Sequence, residues 1–513
     1  ASNIGSEHLI GLAGAGASSG MAMAHWEIQG WMILILGWVF VPFYSRSMVY
    51  TMPEFLERRY NPQSRTILSV ISLVSYVLTK VAVTVYAGGL VFQQVFGIKE
   101  LWGIDFFWIA AIGLVVLTAL YTIFGGMKSV LYTSVLQTPI LLLGSLIILV
   151  LGFKELGGWD EMMRVCGAVT VNDYGDTMTN LIRSNDDANF PWLGALIGSA
   201  IIGFWYWCTD QFIVQRVLSG KNEKEARRGT IFGAYLKLLP VFLFLIPGMI
   251  AFALHQKYIG AGGEGFLPML ANGTANADAA FPTLVAKLLP AGVKGLVVCG
   301  ILAALMSSLA SLFNSSAMLF TIDFYKRFRP ETPEKKLVGI GQIATVVIVI
   351  LGILWIPIMR SVGDVLYTYL QDVQSVLAPG IAAAFLLGIC WKRTSAQGGM
   401  WGLIAGMVIG LTRLGAKVYY SNAGEVADST FKYLFYDMNW LFFCGWMFLF
   451  CIIVVIVVSL ATEAPTAEKI QGLVFGTATK EQKASTRASW NHWDIIHTVI
   501  ILAITGAFYW YFW

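Results

Sequence analysis

The stretch 203–216, GFWYWCTDQFIVQR, sets Trp205, Tyr206 and Trp207 beside Asp210 and Gln211. Flat aromatic rings can lie on the C–H faces of a sugar, and carboxylate and amide groups can bond the hydroxyls at its edge. An interfacial aromatic belt would use the same rings. Asp210 argues for the first use, because a carboxylate in mid-span is costly against lipid. A second group lies in 301–317, ILAALMSSLASLFNSSA, where Ser307, Ser308 and Ser311 share one helix and Asn314, Ser315 and Ser316 follow a turn later. Hydroxyl and carbonyl oxygens suit a hard monovalent cation, and small residues equally suit close helix packing.

Other polar residues stand singly in apolar surroundings. Lys237 follows Tyr235-Leu236 at the start of a span and reads either as a site residue or as a snorkelling lysine. Glu27 closes the first polar stretch and could equally be a solvated loop carboxylate. Gln371 and Gln374 lie in LQDVQSVLAPG, where Pro379-Gly380 would bend the helix, and interhelical hydrogen bonding is their plain use. Lys80 can pair with a neighbouring polar group, and His8 can be a satisfied core histidine.

The elements that position these residues are membrane helices. Of 513 residues 57% are hydrophobic and 12% charged, about half the charged share of a soluble domain. Twelve apolar spans follow the opening segment, near 28–45, 66–96, 105–124, 130–152, 192–216, 230–255, 293–324, 337–359, 364–390, 397–415, 436–461 and 494–513. The length of 66–96 implies tilt. The opening stretch 1–27 is long enough to span but rich in Gly, Ala and Ser, with Asn3, Glu7 and His8 among them. It reads as half of a broken helix. Five helices before 152 and five between 192 and 390 have opposite parity, as in an inverted repeat, and the first helix of each group carries an interruption, at 3–8 and at 203–211. The expected organisation is a first repeat at 1–152, a loop at 153–191, a second repeat at 192–390 and three further helices at 391–513.

Lys and Arg place the ends. One set of alternate loops holds twenty-one of the 34 and the other eleven, so the first set is expected to be cytoplasmic and the C-terminus extracytoplasmic. These bases sit in short loops, and the net charge of +4 gives no reason to expect a nucleic-acid partner. Within the loop 256–292, residues 280–289 are expected to form a short surface helix. The six cysteines show no CxxC spacing, which excludes a zinc or disulfide framework. Five scattered histidines offer no catalytic set, and no charge ring or carbonyl-filter sequence speaks for a channel.

Several long motifs resemble the sodium/glucose cotransporters of the sodium/solute symporter family, in order along nearly the whole chain. They are ASNIGSEHLIGLAGAGASSG, YTMPEFLERRY, YTIFGG, WYWCTDQFIVQR, YLKLLP, ALMSSLASLFNSS and FLLGICWKR. The resemblance implies an all-α polytopic membrane protein with a leucine-transporter-like 5+5 inverted repeat and extra flanking helices. It implies that one leading helix and the cytoplasmic half of the first core helix precede Ala1. It implies a transporter rather than an enzyme, with sodium-driven sugar uptake by alternating access and a monomer sufficient. By motif, Asn3, His8, Glu27, Tyr206, Trp207, Lys237 and Gln371 would contact the sugar. Tyr206 would stack on it as the inner gate, Trp26 would stand at the outer gate, and Tyr76 would help close the cytoplasmic side. Sodium would lie on the carbonyls of Ala1, Ile4 and Ala304 and the hydroxyls of Ser307 and Ser308.

Three positions depart from the family pattern. Ser134 stands where relatives usually carry Asp, and Ala310 where two-sodium relatives carry Thr, so one sodium per sugar is expected. Gly203 replaces a polar residue and removes a hydroxyl contact. Inositol, sialic acid or an amino acid are the rival solutes. Glu27, Trp207, Lys237 and Gln371 favour a neutral polyhydroxylated ring, since a carboxylate would more naturally meet an arginine and none stands among these four.

Overall fold

The computed structural model describes residues 3–5, 7–270, 273–362, 366–423 and 427–513, without the side chains of 121, 123–131, 133, 134, 136, 137 and 359–362. Ala1, the side chain of Ser134 and Asn272 of the sequon-like Asn272-Gly273-Thr274 therefore lie outside the described set. Among the described residues, eleven helical stretches are long and apolar enough to cross a membrane, and Phe106–Leu120 is a shorter apolar arm. Regular strand among them is a small hairpin, Glu100–Leu101 against Ile104–Asp105.

The chain enters through bent backbone at Asn3, Ile4 and Gly5, a π-helical turn Glu7–Leu12 and helix α1 (Ala13–Ser19). Gly20 ends α1 at φ 67°, a left-handed conformation open to glycine. Short helices Ala24–Glu27, Gly30–Ile35 and Val41–Ser47 bring the chain back. Next, α2 (Pro62–Ser75), a π-helical turn Tyr76–Val81 and α3 (Ala82–Phe96) make one span. Asn61 caps α2 by accepting from the backbone of Ser64, and Pro62 sits where its missing N–H costs nothing. The length read from sequence as tilt thus contains an inserted π-turn, the kind of irregularity that re-aims side chains.

A loop was expected between spans 105–124 and 130–152; the helix α4 runs Phe106–Leu156 instead. A straight helix would put Leu114 and Ile140 about 39 Å apart. Yet Leu114 packs at Gly88 next to Leu305, while Ile140 packs at Gly300. The two apolar arms of α4 therefore lie side by side and cross separately.

The second half carries a broken helix. Helix α5 (Trp192–Gly203) and a π-helical turn Phe204–Thr209 lead to Asp210, whose backbone is extended at φ −77° and ψ 125°, and α6 (Gln211–Leu218) resumes. Then come α7 (Glu223–Pro240), α8 (Ile246–Gly260), α9 (Ala291–Met318), α10 (Glu334–Val362), α11 (Leu366–Cys390), α12 (Ala396–Asn422), α13 (Trp440–Ala461) and α14 (His492–Tyr511). Helix α11 continues through Pro379, and Gly380 lets α12 approach until a methyl there would lie 2.9 Å from the Gly406 Cα.

Burial explains the compositions. The Gly/Ala-rich α1 is enclosed: Gly16 abuts the Leu245 carbonyl, and Gly248 of α8 abuts that of Ala13. Large apolar residues such as Ile350, Leu354, Trp446, Ile453 and Val457 are exposed on the outer faces of α10 and α13, where lipid would cover them. The helix expected at the surface forms as Ala280–Leu288, but Ala280 to Val285 are buried and Asp278 just before it lies against Gly14. Its small and apolar residues fit a plug over α1.

Two ends are distinct. At one, the basic end, Arg65 bonds Glu57 and Asp323, Arg59 donates to the carbonyls of Gly388 and Thr394, and Lys469 donates to that of Glu57. Arg59 thereby satisfies an open carbonyl in the last turn of α11, that of Gly388, with a matching charge. At the other, the loop end, Leu181 donates to the Phe512 carbonyl, Met21 to that of Met178, and Arg183 to that of Ser19.

Candidate functional site

The bent backbone at the chain entry and the π-helical turn before Asp210 face one cavity. It is lined by Asn3, His8, Glu27, Tyr206, Trp207, Lys237 and Gln371, with Trp26, and the empty volume there is about 520 Å³, including its open end. All seven residues expected at a sugar site are thus brought together, from stretches as far apart as the chain start and α11.

Glu27 is the centre. It is fully buried, which removes the solvated-loop alternative. Lys237 Nζ donates to its Oε2 at 2.6 Å, Tyr367 Oη donates to its Oε1 at 2.6 Å, and His8 Nε2 lies 3.2 Å from Oε2. A carboxylate only accepts, so the His8 Nε2 that faces it carries a proton. Asn3 Nδ2 is 3.4 Å from the same ring nitrogen. Lys237 is buried too, with its Nζ 5.4 Å over the Trp207 ring, so it does not snorkel. Three donors from three separate segments leave roughly one of the four acceptor positions of Glu27 for another group.

Other polar atoms of the lining are unpaired. Trp26 Nε1, His8 Nδ1 and Gln371 Oε1 are buried and have no hydrogen-bond partner among the described residues. Each such group costs about 1–3 kcal/mol until something pairs with it. The Trp26 indole N–H is a donor and the Gln371 amide oxygen an acceptor. Gln29, also in the lining, fills the space over Gly203, where a methyl would lie 2.9 Å from its Cδ. An amide thus stands where the sequence suggested only a lost contact.

The gate positions are closed in. Trp26 is stacked on Trp440 with ring centres 5.4 Å apart and meets Phe190 edge-on at 6.2 Å. Tyr206 meets Trp207 edge-on at 5.1 Å between ring centres and Trp205 at 6.3 Å. Trp205 and Trp207 are buried, which excludes an interfacial belt. Tyr76 is buried and donates to Asp210 Oδ1 at 2.9 Å. Towards the basic end a second cavity adjoins the first through Asn3, Trp207 and Lys237 and reaches Arg216 and Glu225.

The cation-site expectation falls on the same break. Ile4, Ala304, Ser307 and Ser308 are all buried, and Gly5 touches α9 so closely that a methyl there would overlap Ser308 Oγ. Ser308 Oγ is buried with no partner among the described residues. A free hydroxyl beside bent backbone fits a sodium ligand; Ser311, by contrast, donates back to the Ser307 carbonyl at 2.9 Å. Ala310 is buried.

Tyr367 is a cavity residue that escaped the sequence reading, although it stands four residues before Gln371 and so shares a helix face with a residue already singled out. Lys80, read from sequence only as able to pair with a neighbouring polar group, lines the same cavity, four residues after Tyr76. That spacing was the available signal. Among the described residues no cluster of three or more His, Cys, Asp or Glu could hold a metal ion.

Residues 1–406 match the model of the sodium:solute symporter family. The human sodium/myo-inositol cotransporter 2 is 36% identical over 490 residues, covering 93% of this chain and 72% of its own. The sodium/glucose cotransporter 1 of Ovis aries is 38% identical over 481 residues, covering 90% and 71%. The substrate-bound outward-open structure of a Na⁺-coupled sialic acid symporter superposes with a TM-score of 0.68 at 20% identity, over 91% of this chain and 89% of that one. The fold is thus the expected all-α, leucine-transporter-like membrane architecture. The chain belongs to the sodium:solute symporter family, and it is a membrane transporter that couples solute to sodium.

Proposed function

We propose that the protein carries a monosaccharide of the glucose/galactose kind with one sodium ion, by alternating access between the two faces of the membrane. The observation that carries this reading is the set of unpaired atoms around Glu27: a donor at Trp26, an acceptor at Gln371 and the second ring nitrogen of His8. Hydroxyls both donate and accept, so a polyol ring can satisfy all three and still donate to Glu27. Aromatic faces at Trp207 and Tyr206 suit its C–H surfaces. Both ammonium groups in the lining, Lys80 and Lys237, are already paired with carboxylates, which disfavours an acidic solute such as sialic acid.

In this reading sodium binds Ile4, Ala304, Ser307 and Ser308 with Ala1, next to Asn3 and His8 on the same stretch. Ordering that stretch would serve both ligands, and a ligand shifts a conformational balance only by its differential affinity for the two states. Trp26 and Tyr206 act as outer and inner gates, with Tyr76 on the inner side. The two repeats are 1–152 and 192–390. The basic end is cytoplasmic by its excess of Lys and Arg, which puts the C-terminus outside. Each inward charge gains about 2.3 kcal/mol per 100 mV of membrane potential.

Myo-inositol is the second reading, favoured by the human and mouse relatives of that name at 36% and 37% identity. Equilibrium binding of tritiated D-glucose, D-galactose, myo-inositol and sialic acid to the purified protein, with and without sodium, tests both. Sodium-dependent binding of a hexose is expected; myo-inositol alone would select the second reading, and sialic acid binding would contradict both.

A further inference from the structure

Lys80 belongs to none of the ligand roles above, yet it is buried in the cavity wall. It pairs with Asp210, the extended residue at the break between Phe204–Thr209 and α6. Asp210 Oδ1 accepts from Tyr76 Oη at 2.9 Å and from the Phe212 backbone at 3.2 Å, and Tyr76 Oη also accepts from that backbone N–H at 3.1 Å. The same ammonium lies 4.9 Å over the Tyr206 ring and 3.9 Å over that of Phe212. One cation and one phenol from the span 62–96 therefore hold the broken helix and the face of Tyr206. From Asp210, α6 runs on to Arg216, so this cluster stands between the cavity and the basic end. Its counterpart is Glu27–Lys237: each pair joins a residue before 152 to one after 192.

We propose that Lys80–Asp210 is the charge lock of the gate at the basic end: it positions Tyr206 across the cavity and must part before solute leaves that way. The proposal rests on the reading of this cavity as the solute site. Lys80 is a positioning residue, acting through Asp210 and Tyr206. Attraction between buried charges is strong, but removing one partner leaves the other uncompensated. Single variants can therefore fail to fold, and the double variant Lys80→Met/Asp210→Asn, which removes both charges, is the informative one.

The full chain is reconstituted in liposomes as wild type, the double variant and Lys80→Arg. In sodium, the double variant is expected to bind tritiated D-glucose or myo-inositol within about threefold of wild type. Its sodium-driven accumulation should fall by about tenfold, with efflux from preloaded vesicles rising by a similar factor. Lys80→Arg, which keeps the charge, should retain about half of the accumulation or more. Wild-type accumulation by the double variant overturns the lock, and so does loss of binding together with transport, which would make Lys80 a ligand residue. Should wild type bind neither solute, the substrate reading fails by itself. Leak of sodium-22 then tests the lock alone: a faster leak through the double variant supports it, and an unchanged leak overturns it.

Discussion

Glu27 concentrates the chemistry of the cavity at one carboxylate, and its three donors make it easy to upset. Glu27→Gln removes the counter-charge of a buried ammonium, a change that costs about 3–5 kcal/mol when no new partner appears. Solute affinity should fall by about a hundredfold or more in equilibrium binding. Adding Lys237→Met should recover much of the melting temperature and none of the binding. Recovery of binding would mean that Glu27 only neutralises Lys237. Ser308 is the residue proposed for sodium, with a hydroxyl left unpaired against Gly5. Ser308→Ala should raise the sodium concentration for half-maximal binding by about tenfold, equal to about 1.4 kcal/mol. Unchanged sodium dependence would sink that assignment.

Among the elements, the buried segment 277–288 closes the loop end of α1 and meets the start of α11, where the Leu366 N–H points at both oxygens of Asp278 at 3.3 Å. Among the described residues Asp278 has no ion pair, and burial pushes its carboxyl up to about 7 from the usual 3.8. A raised carboxyl binds its proton more tightly in the folded state. Its contribution is therefore complete below about pH 4 and is lost as pH rises through about 7. The melting temperature should be higher near pH 5.5 than near pH 8, and Asp278→Asn should flatten that difference. An equal slope in the variant would contradict the assignment. The sequence disclosed the break within 203–211, because polar residues interrupt an otherwise apolar run. It misjudged 280–288, since a short apolar helix reads the same whether it lies on a surface or plugs one. It missed Tyr367 and the partner of Lys80, because pairings between distant spans leave no periodic trace. The Phe106–Leu156 helix hid its change of direction for a related reason: apolar composition marks membrane depth but not the course of the chain.

At the scale of the whole molecule, one short stretch from Asn3 to His8 meets both the serine helix and the polar cavity, and that adjacency is the physical ground for coupling. Linkage requires reciprocity: if sodium raises solute affinity by some factor, solute raises sodium affinity by the same factor. Ala310 and Ser134 stand where the family resemblance would place a second ion, which is the ground for proposing a single sodium. The measurement that tests this most directly follows sodium-22 and tritiated D-glucose or myo-inositol together into proteoliposomes under an inward sodium gradient. The account predicts that solute accumulates only with the gradient and that the two labels enter in about a one-to-one ratio. Solute that equilibrates regardless of sodium would contradict the coupling, and two sodium ions per solute would contradict the single site.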